Sequence, residues 1–541
     1  MVEKILKPEL RVIGMLTIIG GTLIDGTGRP PVENPVIVVS RSKILKVGTE
    51  MEVDIPKTSK IIDTTGKTII PSFIDSHTHF LLMGIRSLSH LDLSQTKSIA
   101  EVLKKIGGKL RTFPEGAWLY GHGWDESNWQ ERRYPTKKDL DSVSPDNPIS
   151  LTPMYGHLMV VNSRALKLAG ITQSTPEPKG GRIDRDPSTK EATGILREEA
   201  MGLIGSLKPP TSKEEYVAGI QKACEITLSW GCASIHELGL KAAEIQAYQL
   251  AWEKGILNVR SYLMPDVRDT ESMLDGLEVL GIKTSFGNEF LRLGPIKIYA
   301  DGSMGARTAV FYDPYSDDSS SSGLLTISPK TLEERVIRAH KLGIQVAIHA
   351  IGDRGIDVAL DAIEAALTLD PRKNHRHRIE HCEILNHNQI QRIKRLEIIP
   401  SMQPNFVGEW GQSGGMYEQR IGPRIANNNP YRKLLDAGVV VCFGSDCGYC
   451  PPWPFNPLYG LWAAVNHPIK KYQISIPEAV KCYTLNGAYA SFEETLKGSI
   501  EPGKFADIAI LSEDLNSIAP DEIRNVKVDL TMVEGLVKWK R

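Results

Sequence analysis

The chain has 541 residues, which is too many for one simple hydrophobic core, so two or three structural units are expected. Hydrophobic residues make up 41% of it and charged residues 24%, the ordinary balance of a soluble globular protein. The formal net charge is −1, so the overall charge does not favour nucleic acid or an acidic membrane as a partner. The scattered cysteines, together with the lack of a signal peptide and of an apolar run of ~20 residues, predict a cytoplasmic protein with reduced thiols.

The two ends of the chain are predicted to form short strands joined by tight turns. Near the start, MLTIIGGTLIDGTG is a β-branched run that ends in Gly-rich turn chemistry, and PVIVVSRSKILKVG and KIIDTTGKTII continue the pattern. Near the end, GSIEPGKFADIAILS and VKVDLTMVEGLVKWK have the same character. We therefore expect residues 1–70 and 491–541 to meet in one discontinuous β-sandwich. The strand pattern begins at Met15, so either Met1 or Met15 could serve as the start.

The middle of the chain, residues 71–490, alternates apolar runs with amphipathic stretches such as TLEERVIRAHKLG and GIDVALDAIEAALTL. Near-continuous apolar strands separated by helices are typical of a parallel sheet that is buried on both faces. The apolar runs are TIIPSFIDSHTHF, GCASIHELG, NVRSYLM, LRLGPIKIYADG, GIQVAIHAIGD, HRHRIEHCEIL, IIPSMQP and VVVCFGSD. This number of strands predicts an α/β fold with a TIM-like (β/α)8 barrel.

One connection in this pattern is much too long. About 150 residues separate the end of the first predicted strand near His79 from the second near Ile235, whereas a βα unit needs only about 30 to 40. The excess, residues 112–205, is rich in proline, glycine and tryptophan. We expect it to form an inserted lid subdomain over the mouth of the barrel.

Several predicted strands end in a residue type that binds metal ions. The first strand ends in His77 and His79, and residues two apart on a strand face the same side. Later strands end in His349, His381 and Asp446. Because the carboxyl ends of the strands build the active site of a TIM barrel, these side chains are expected to converge on one or two divalent ions, with zinc as the expected metal.

A single residue of one of these types is weaker evidence for a metal site than a set at several strand ends. A single histidine on an apolar strand is usually a core or surface residue, and we interpret His236 and His340 in this way. Cys447 and Cys450 form a C-x-x-C pair, but no second pair or suitably spaced histidine accompanies it. Two packed or incidental thiols are therefore expected there, not a zinc knuckle.

Lys297 lies in the apolar run LGPIKIYADG, where a lysine is costly unless it is paired or modified. One interpretation is a buried ion pair, with Asp301 as the candidate partner. Another is a carbamate, formed with carbon dioxide, whose carboxylate could bridge two cations. The strand falls between those of His79 and His349, which favours the carbamate. A single metal ion with a free lysine nearby is the third possibility.

Asp446 follows the Gly-Ser pair of FGSD, a position where an aspartate often caps a helix. Beside the histidines, a different role is favoured. A carboxylate at the last strand end can bind a metal ion and accept the proton of an attacking water. We therefore expect Asp446 to be the general base.

These residues and their surroundings resemble the amidohydrolase superfamily. PSFIDSHTH resembles its first-strand motif, with Ser72 where a glycine is common, and GSIEPGKFADIAIL resembles its C-terminal sandwich motif. Within the superfamily, the chain is most similar to the branch that includes N-substituted formamide deformylase. The similarity covers nearly the whole chain and is carried by GHGWDESNW, LTPMYGHLMVVNSRAL, GGRIDRD, TGILREEA, KIYADGSMGARTA, AIHAIGDRG, HRIEHCE and FGSDCGYCP.

The resemblance implies a complete metal set: His77, His79, Lys297 as carbamate, His349, His381 and Asp446. It also suggests Trp124, His157 and Arg307 as residues on the substrate side. Each of these three could instead be structural, since the turn at Trp124 could simply fold the lid.

We therefore predict a metal-dependent hydrolase that cleaves a non-peptide, amide-like C–N bond of a small molecule by metal-activated water. The chain could also form a homo-oligomer. The alternatives are a deaminase or an ester hydrolase on the same scaffold, and a non-catalytic assembly protein with this fold. The complete ligand set argues against the last of these.

Overall fold

The computed structural model describes residues 14–207, 211–268, 272–448 and 455–541, so Cys450 of the C-x-x-C pair lies outside the described residues. Two parallel sheets form the centre of the molecule. The first has the strand order Leu291–Leu293, Arg260–Pro265, Cys232–Leu240, Phe73–Thr78. The second has the order Ile296–Tyr299, Val346–Ala350, Arg378–His381, Ile399–Met402, Cys442–Phe443. Most of their residues are buried, which explains the near-continuous apolar runs in the sequence.

The two central sheets adjoin at both edges. At one edge, Asp266 and Lys297 form a parallel bridge. At the other, the backbone N–H of Asp446 donates to the carbonyl of His77 at 2.7 Å, and that of His79 donates to the carbonyl of Cys447 at 2.8 Å. Within the described residues, however, the strand ladder is not continuous from one sheet to the other. The structure thus has the predicted parallel α/β character, but the part of the chain that it describes does not form one closed eight-stranded ladder.

Two runs that the sequence analysis predicts as single strands are each divided. TIIPSFIDSHTHF breaks at Ser72, so that Thr68–Pro71 pairs with a C-terminal strand while Phe73–Thr78 joins the central sheet. LRLGPIKIYADG breaks at Pro295, which has no backbone N–H for a strand ladder. The periodicity of the side chains does not reveal either break, because both halves are apolar.

Helices connect the central strands and cover their outer faces. In the helix Asp353–Leu369, Ile356, Leu360 and Ile363 are buried at the three- and four-residue spacing of a helix face. No helix of the described residues is long and apolar enough to cross a membrane. The α-helices are Phe80–Ser89, Ile99–Leu110, Lys137–Asp141, Ser163–Leu168, Gly202–Gly205, Lys213–Ser229, Ala242–Glu253, Ser272–Leu280, Pro329–Lys341, Asp353–Leu369, His387–Arg395, Pro404–Glu409, Met416–Ile421, Tyr431–Asp436, Pro457–Val465, Ile476–Tyr483 and Leu485–Ala490. The 3₁₀ helices are Glu126–Asn128, Glu199–Met201, Gly422–Asn427, Lys470–Tyr472 and Pro520–Asn525.

The long connection between the first two central strands contains a sheet of its own. Its strand order is Gly181–Arg185, Ala192–Glu198, Leu158–Val161, Ile149–Pro153, Leu119–Trp124, Leu91–Asp92. The sheet begins at Leu91 and so extends beyond residues 112–205. A buried cluster that includes Trp124, Trp129 and Tyr155 from this region packs against Phe406 and Trp410.

Strands from the two ends of the chain form one mixed sheet, which contains both antiparallel and parallel strand pairs. Its order is Leu536–Lys540, Val528–Val533, Ile508–Leu511, Thr68–Pro71, Thr22–Leu23, Val32–Glu33. A second sheet, of N-terminal strands, has the order Lys43–Thr49, Pro35–Ser40, Met15–Ile19, Lys60–Asp63. A buried ion pair of 2.8 Å between Arg260 Nε and Asp507 Oδ2 ties the shared sheet to the central strands.

Candidate active site

A pocket with a volume of about 270 Å³ opens at the carboxyl ends of the central strands. All six residues of the predicted metal set line it. The other polar and aromatic side chains of the lining are Tyr155, His157, Glu198, Glu199, Lys241, Asp266, Arg268 and Tyr299. The pocket therefore combines residues of the central strands with residues of the inserted sheet.

His77, His79 and Asp446 form a compact cluster in this pocket. Oδ1 of Asp446 lies 3.4 Å from Nε2 of His77 and 3.3 Å from Nε2 of His79. One ligand atom from each residue can be chosen so that all lie within 4.8 Å of one another. Burial by itself would raise the pKa of Asp446, but the two imidazoles hold it well below the usual range, so the group is a carboxylate.

The loop that carries Asp446 is fastened to the first central strand. Oδ1 of Asp75 accepts the backbone N–H groups of His77 at 3.1 Å and of Ser445 at 2.9 Å. A Cβ on Gly444 would lie only 2.5 Å from the backbone nitrogen of His77, so the close approach of the two segments requires glycine there. These contacts bring two ends of the chain's central region together, although they are separated by more than three hundred residues in sequence.

His349 and His381 lie beside this cluster. The ring centroid of His381 is 4.5 Å from that of His77 and 4.4 Å from that of His349. Burial lowers the pKa of both His349 and His381 well below the usual value, so both imidazoles are neutral. Nδ1 of His381 lies 2.7 Å from Oε1 of Gln403, and Nδ1 of His77 lies 2.6 Å from Oε2 of Glu380. Such contacts orient the rings and leave Nε2 for another partner.

Two of these residues have a backbone conformation that is unusual for any residue except glycine. The φ angle is 67° at His381 and 53° at Asp446. Positive φ values cost free energy in residues with a Cβ, and such conformations concentrate at functional sites. The surrounding hydrogen bonds, including the bond from Asp446 N–H to His77, hold this geometry.

Lys297 is buried, and its Nζ has no hydrogen-bond partner among the described residues. Nζ lies 4.9 Å from the centroid of the Tyr299 ring, and this cation–π contact only weakly replaces a hydrogen bond. The suggested partner Asp301 instead accepts backbone N–H groups from Val310 at 2.9 Å and Gly352 at 3.0 Å. Burial lowers the pKa of Lys297 to about 8, although Glu380 and Asp446 oppose the shift. The simple ion-pair interpretation with Asp301 therefore lacks support in the structure.

His157 enters the pocket from the inserted sheet and is held by a carboxylate. Nδ1 of His157 lies 2.8 Å from Oε2 of Glu198, and the Thr308 hydroxyl donates to the other oxygen of Glu198. The ring centroid of His157 is 5.2 Å from that of His349. Burial alone would lower the pKa of His157, but Glu198 outweighs it and the pKa is raised.

The structure does not bring Trp124 or Arg307 into this pocket. Trp124 is fully buried, and its ring packs 5.6 Å from that of Trp129. The Arg307 guanidinium forms an ion pair of 2.8 Å with Asp317. Of the three residues suggested for the substrate side, only His157 lines the pocket.

Sequence reasoning did not single out Asp75, Glu198 or Glu380. A signal existed for each, because they stand in the quoted stretches PSFIDSHTH, TGILREEA and HRIEHCE. Glu380 is fully buried between Arg378, at 2.8 Å, and His77. Both partners keep the pKa of Glu380 well below its usual value despite burial.

The residues of the pocket fit a divalent metal ion. Neutral imidazoles and a carboxylate are the donor types that zinc and related ions prefer. The Nδ1 contacts of His77 and His381 place both rings in fixed orientations. The buried Lys297 amine, which has no hydrogen bond to any residue that the structure describes, has the chemistry needed for modification beside such an ion.

Known proteins with a similar sequence or structure include amidohydrolases and a metal-dependent hydrolase. A sequence model described as "Amidohydrolase family" matches residues 60–537. YtcJ of Bacillus subtilis, named as an amidohydrolase, is 32% identical and aligns over 90% of this chain and 91% of its own length. N-substituted formamide deformylase of Arthrobacter pascens is 31% identical, over 93% of this chain and 95% of its own. A metal-dependent hydrolase of Pyrococcus horikoshii OT3 has a similar structure, with a TM-score of 0.72, 27% identity, and coverage of 97% of this chain and 100% of that one.

Proposed function

Because the chain belongs to the amidohydrolase family, as the sequence analysis predicted, we propose that it uses the pocket at the strand ends to hydrolyse an amide-like C–N bond of a small, non-peptide molecule. The observation that carries this proposal is the cluster of His77, His79 and Asp446, whose ligand atoms lie within 4.8 Å of one another. Lys297, His349 and His381 line the same pocket and would complete the metal set.

The metal would be one or two divalent ions, with zinc as the first choice for these donors. When bound, such an ion lowers the pKa of water from 15.7 toward about 7 and polarises a carbonyl group. The chain's own contribution is to hold the reacting groups and to move protons. Asp446 is a carboxylate in this pocket and would accept the proton of the attacking water. The same proton can then pass to the nitrogen of the breaking C–N bond.

The pair of Glu198 and His157 would act on the substrate side. Glu198 fixes Nδ1 of His157, so Nε2 remains available to a group in the pocket. A raised pKa keeps more of the imidazole protonated near neutral pH, which favours a hydrogen bond to the carbonyl oxygen as negative charge develops on it. His157 is therefore a better candidate for substrate contact than Trp124 or Arg307.

Lys297 would be carboxylated. Its uncharged amine nitrogen forms a bond to the carbon of carbon dioxide, and one proton is released to solvent. The product is a carbamate with one negative charge in place of the uncharged amine. Burial and the depressed pKa of Lys297 support this step, because they increase the uncharged fraction of the amine.

We also propose how the parts of the chain serve this site. The two adjoining parallel sheets would be the halves of one (β/α)8 barrel at residues 71–490, with residues 1–70 and 491–541 as a β-sandwich. Residues 112–205 would form the lid, because His157 and Glu198 reach the pocket from the inserted sheet. Lids of this kind exclude water and complete an active site. Hydrogen exchange of residues 112–205 should slow when a product amine binds, and unchanged exchange would contradict the lid.

Metal content gives the first test. The purified protein should carry roughly one to two divalent ions, mainly zinc. Replacing His77 and His79 together by alanine should remove most of the metal, because two of the proposed donors are lost. Elemental analysis measures the result, and replacement by alanine of His387, which is exposed and lies outside the pocket, serves as the control. Undiminished metal in the His77/His79 variant would contradict the assignment.

Activity separates the proposal from its alternatives. The zinc-loaded protein should hydrolyse members of a panel of N-formyl and N-acetyl amines. Release of ammonia from amino-substituted heterocycles without amide cleavage would identify a deaminase, and cleavage of esters alone an ester hydrolase. A protein that binds no metal and cleaves nothing in the panel would be a non-catalytic relative.

A further inference from the structure

His79 is both a member of the proposed metal set and the N-cap residue of the helix Phe80–Ser89. A residue at this position usually caps the helix by accepting a backbone N–H of the first turn with its own side chain. The imidazole of His79 makes no such capping hydrogen bond. It faces Asp446 instead, with Nε2 3.3 Å from Oδ1. The first turn of this helix therefore needs a capping group from another part of the chain.

Glu237 supplies this group from the neighbouring central strand. It lies in the strand Cys232–Leu240, opposite Thr78 in the parallel register. Oε2 of Glu237 accepts the backbone N–H of Phe80 at 2.5 Å, and Oε1 accepts that of Leu81 at 3.3 Å. Glu237 thus caps the helix in place of the N-cap side chain, while it does not itself line the pocket.

A buried carboxyl group is a costly way to cap a helix. Glu237 is only 2% exposed, and burial of such a group costs free energy unless hydrogen bonds replace those to water. A serine or an asparagine at position 79 would cap the helix with its own side chain, without a buried glutamate. Neither of them supplies an imidazole, however. The arrangement is therefore explained if position 79 must provide a metal ligand.

The hydrogen bonds of Glu237 also restrict the direction of the His79 side chain. The planar peptide group between His79 and Phe80 carries the N–H that donates to Glu237, so this bond holds the ψ angle of His79 at 65°. On the other side of the same residue, the N–H of His79 donates to the carbonyl of Cys447 at 2.8 Å. This support matters because His79 has the most exposed side chain of the cluster, at 19%.

We propose that Glu237 is a positioning residue of the metal site: by capping the helix that begins after His79, it directs the His79 imidazole toward the metal ion. The inference rests on the proposed function, because it assigns a role in the same site. Removal of a group that orients a metal ligand typically lowers metal affinity by about 10- to 100-fold. A purely structural cap would lower the stability of the fold and leave metal affinity unchanged.

Zinc affinity, measured by competition with a chelator, tests this role without reference to turnover. Glu237→Ala should lower the affinity at least about tenfold. Glu237→Gln should lower it less, because the amide oxygen can still accept one of the two N–H groups. Asn386→Ala is the matched control, since Oδ1 of Asn386 accepts the N–H of Gln389 at 3.0 Å and caps the helix that follows the strand of His381. This variant should have a lower Tm but the zinc affinity of the wild type.

A double-mutant cycle shows whether Glu237 acts through His79. In a His79→Ala background, Glu237→Ala should cause no further loss of zinc affinity, because the ligand that it orients is already absent. Glu237→Gln serves for the same cycle if the alanine variant does not fold. Wild-type zinc affinity in the Glu237 variants, or a loss that persists without His79, would overturn the inference and leave amide hydrolysis standing. If the wild-type protein binds no zinc, the metal site of the proposed function falls, and the inference falls with it.

Discussion

Replacing Asp446 by asparagine should lower the turnover number for any amide substrate by at least ~10²-fold, the lower range for loss of a general base. The substitution is nearly isosteric, but the amide oxygen is far less basic than the carboxylate. In the native pocket, His77 and His79 hold the pKa of Asp446 well below the usual range, so the group is available as a base throughout the neutral range. The fold should survive, because the backbone N–H of Asp446 keeps its 2.7 Å bond to His77.

Steady-state kinetics with the substrate found in the amide panel measures this effect, and circular dichroism and elemental analysis check folding and metal content. Asp436→Asn, at an aspartate with 65% side-chain exposure, is the control and should behave as wild type. A turnover number for Asp446→Asn close to that of the wild type would show that the base lies elsewhere. A loss of metal in parallel with activity would assign Asp446 to metal binding more than to proton transfer.

Replacing Lys297 by alanine should also lower turnover, by at least ~10²-fold, because a ligand shared by two ions would be lost and metal affinity would fall. Short carboxylic acids such as acetate or propionate should restore part of the activity, since they can occupy the vacated space and supply the missing carboxylate. Lys297→Arg keeps a positive charge but cannot form the carbamate, and it should be inactive without rescue. An ordinary ion pair predicts the reverse, with better activity in the arginine variant than in alanine.

Two measurements examine the carbamate without reference to turnover. Protein loaded with ¹³C-labelled carbon dioxide should give a carbamate carbon signal that Lys297→Arg lacks. In a crystal structure of the metal-loaded protein, the two carbamate oxygens should lie ~2.0–2.2 Å from zinc, the usual zinc–carboxylate distance. Clear density that ends at Nζ of Lys297, with no bridging contact, would reject the carbamate and leave the single-metal site with a free lysine.

Much of the candidate site could be located from sequence, because each strand end can be recognised from the apolar run that precedes it. His77 and His79 occupy alternate positions on one strand, and His349, His381 and Asp446 each follow an apolar run. The parallel arrangement brings such ends to one edge, and all of these residues line the pocket. The membership of the amidohydrolase family, inferred from the quoted motifs, is confirmed by the match over residues 60–537.

Side-chain partners could not be predicted in the same way. Nothing local distinguishes Trp124, which packs into a buried cluster, from His157, which reaches the pocket. Glu198 is an ordinary acidic residue in sequence, and it becomes relevant only because it lies 2.8 Å from His157. Asp301 does not pair with Lys297, because it accepts backbone N–H groups of Val310 and Gly352, which lie on other segments. The run LGPIKIYADG by itself could not predict these contacts.

The sequence by itself therefore determined the family, the alternation of strands and helices, and the residue types at the strand ends, because each depends on patterns within a few neighbouring positions. Only the tertiary structure decided where the apolar runs break, as at Ser72 and Pro295, and which distant segments meet. It also decided that His157 and Glu198 of the inserted sheet reach the pocket at the strand ends. These features arise from contacts between residues that are far apart along the chain, and local periodicity carries no record of such contacts.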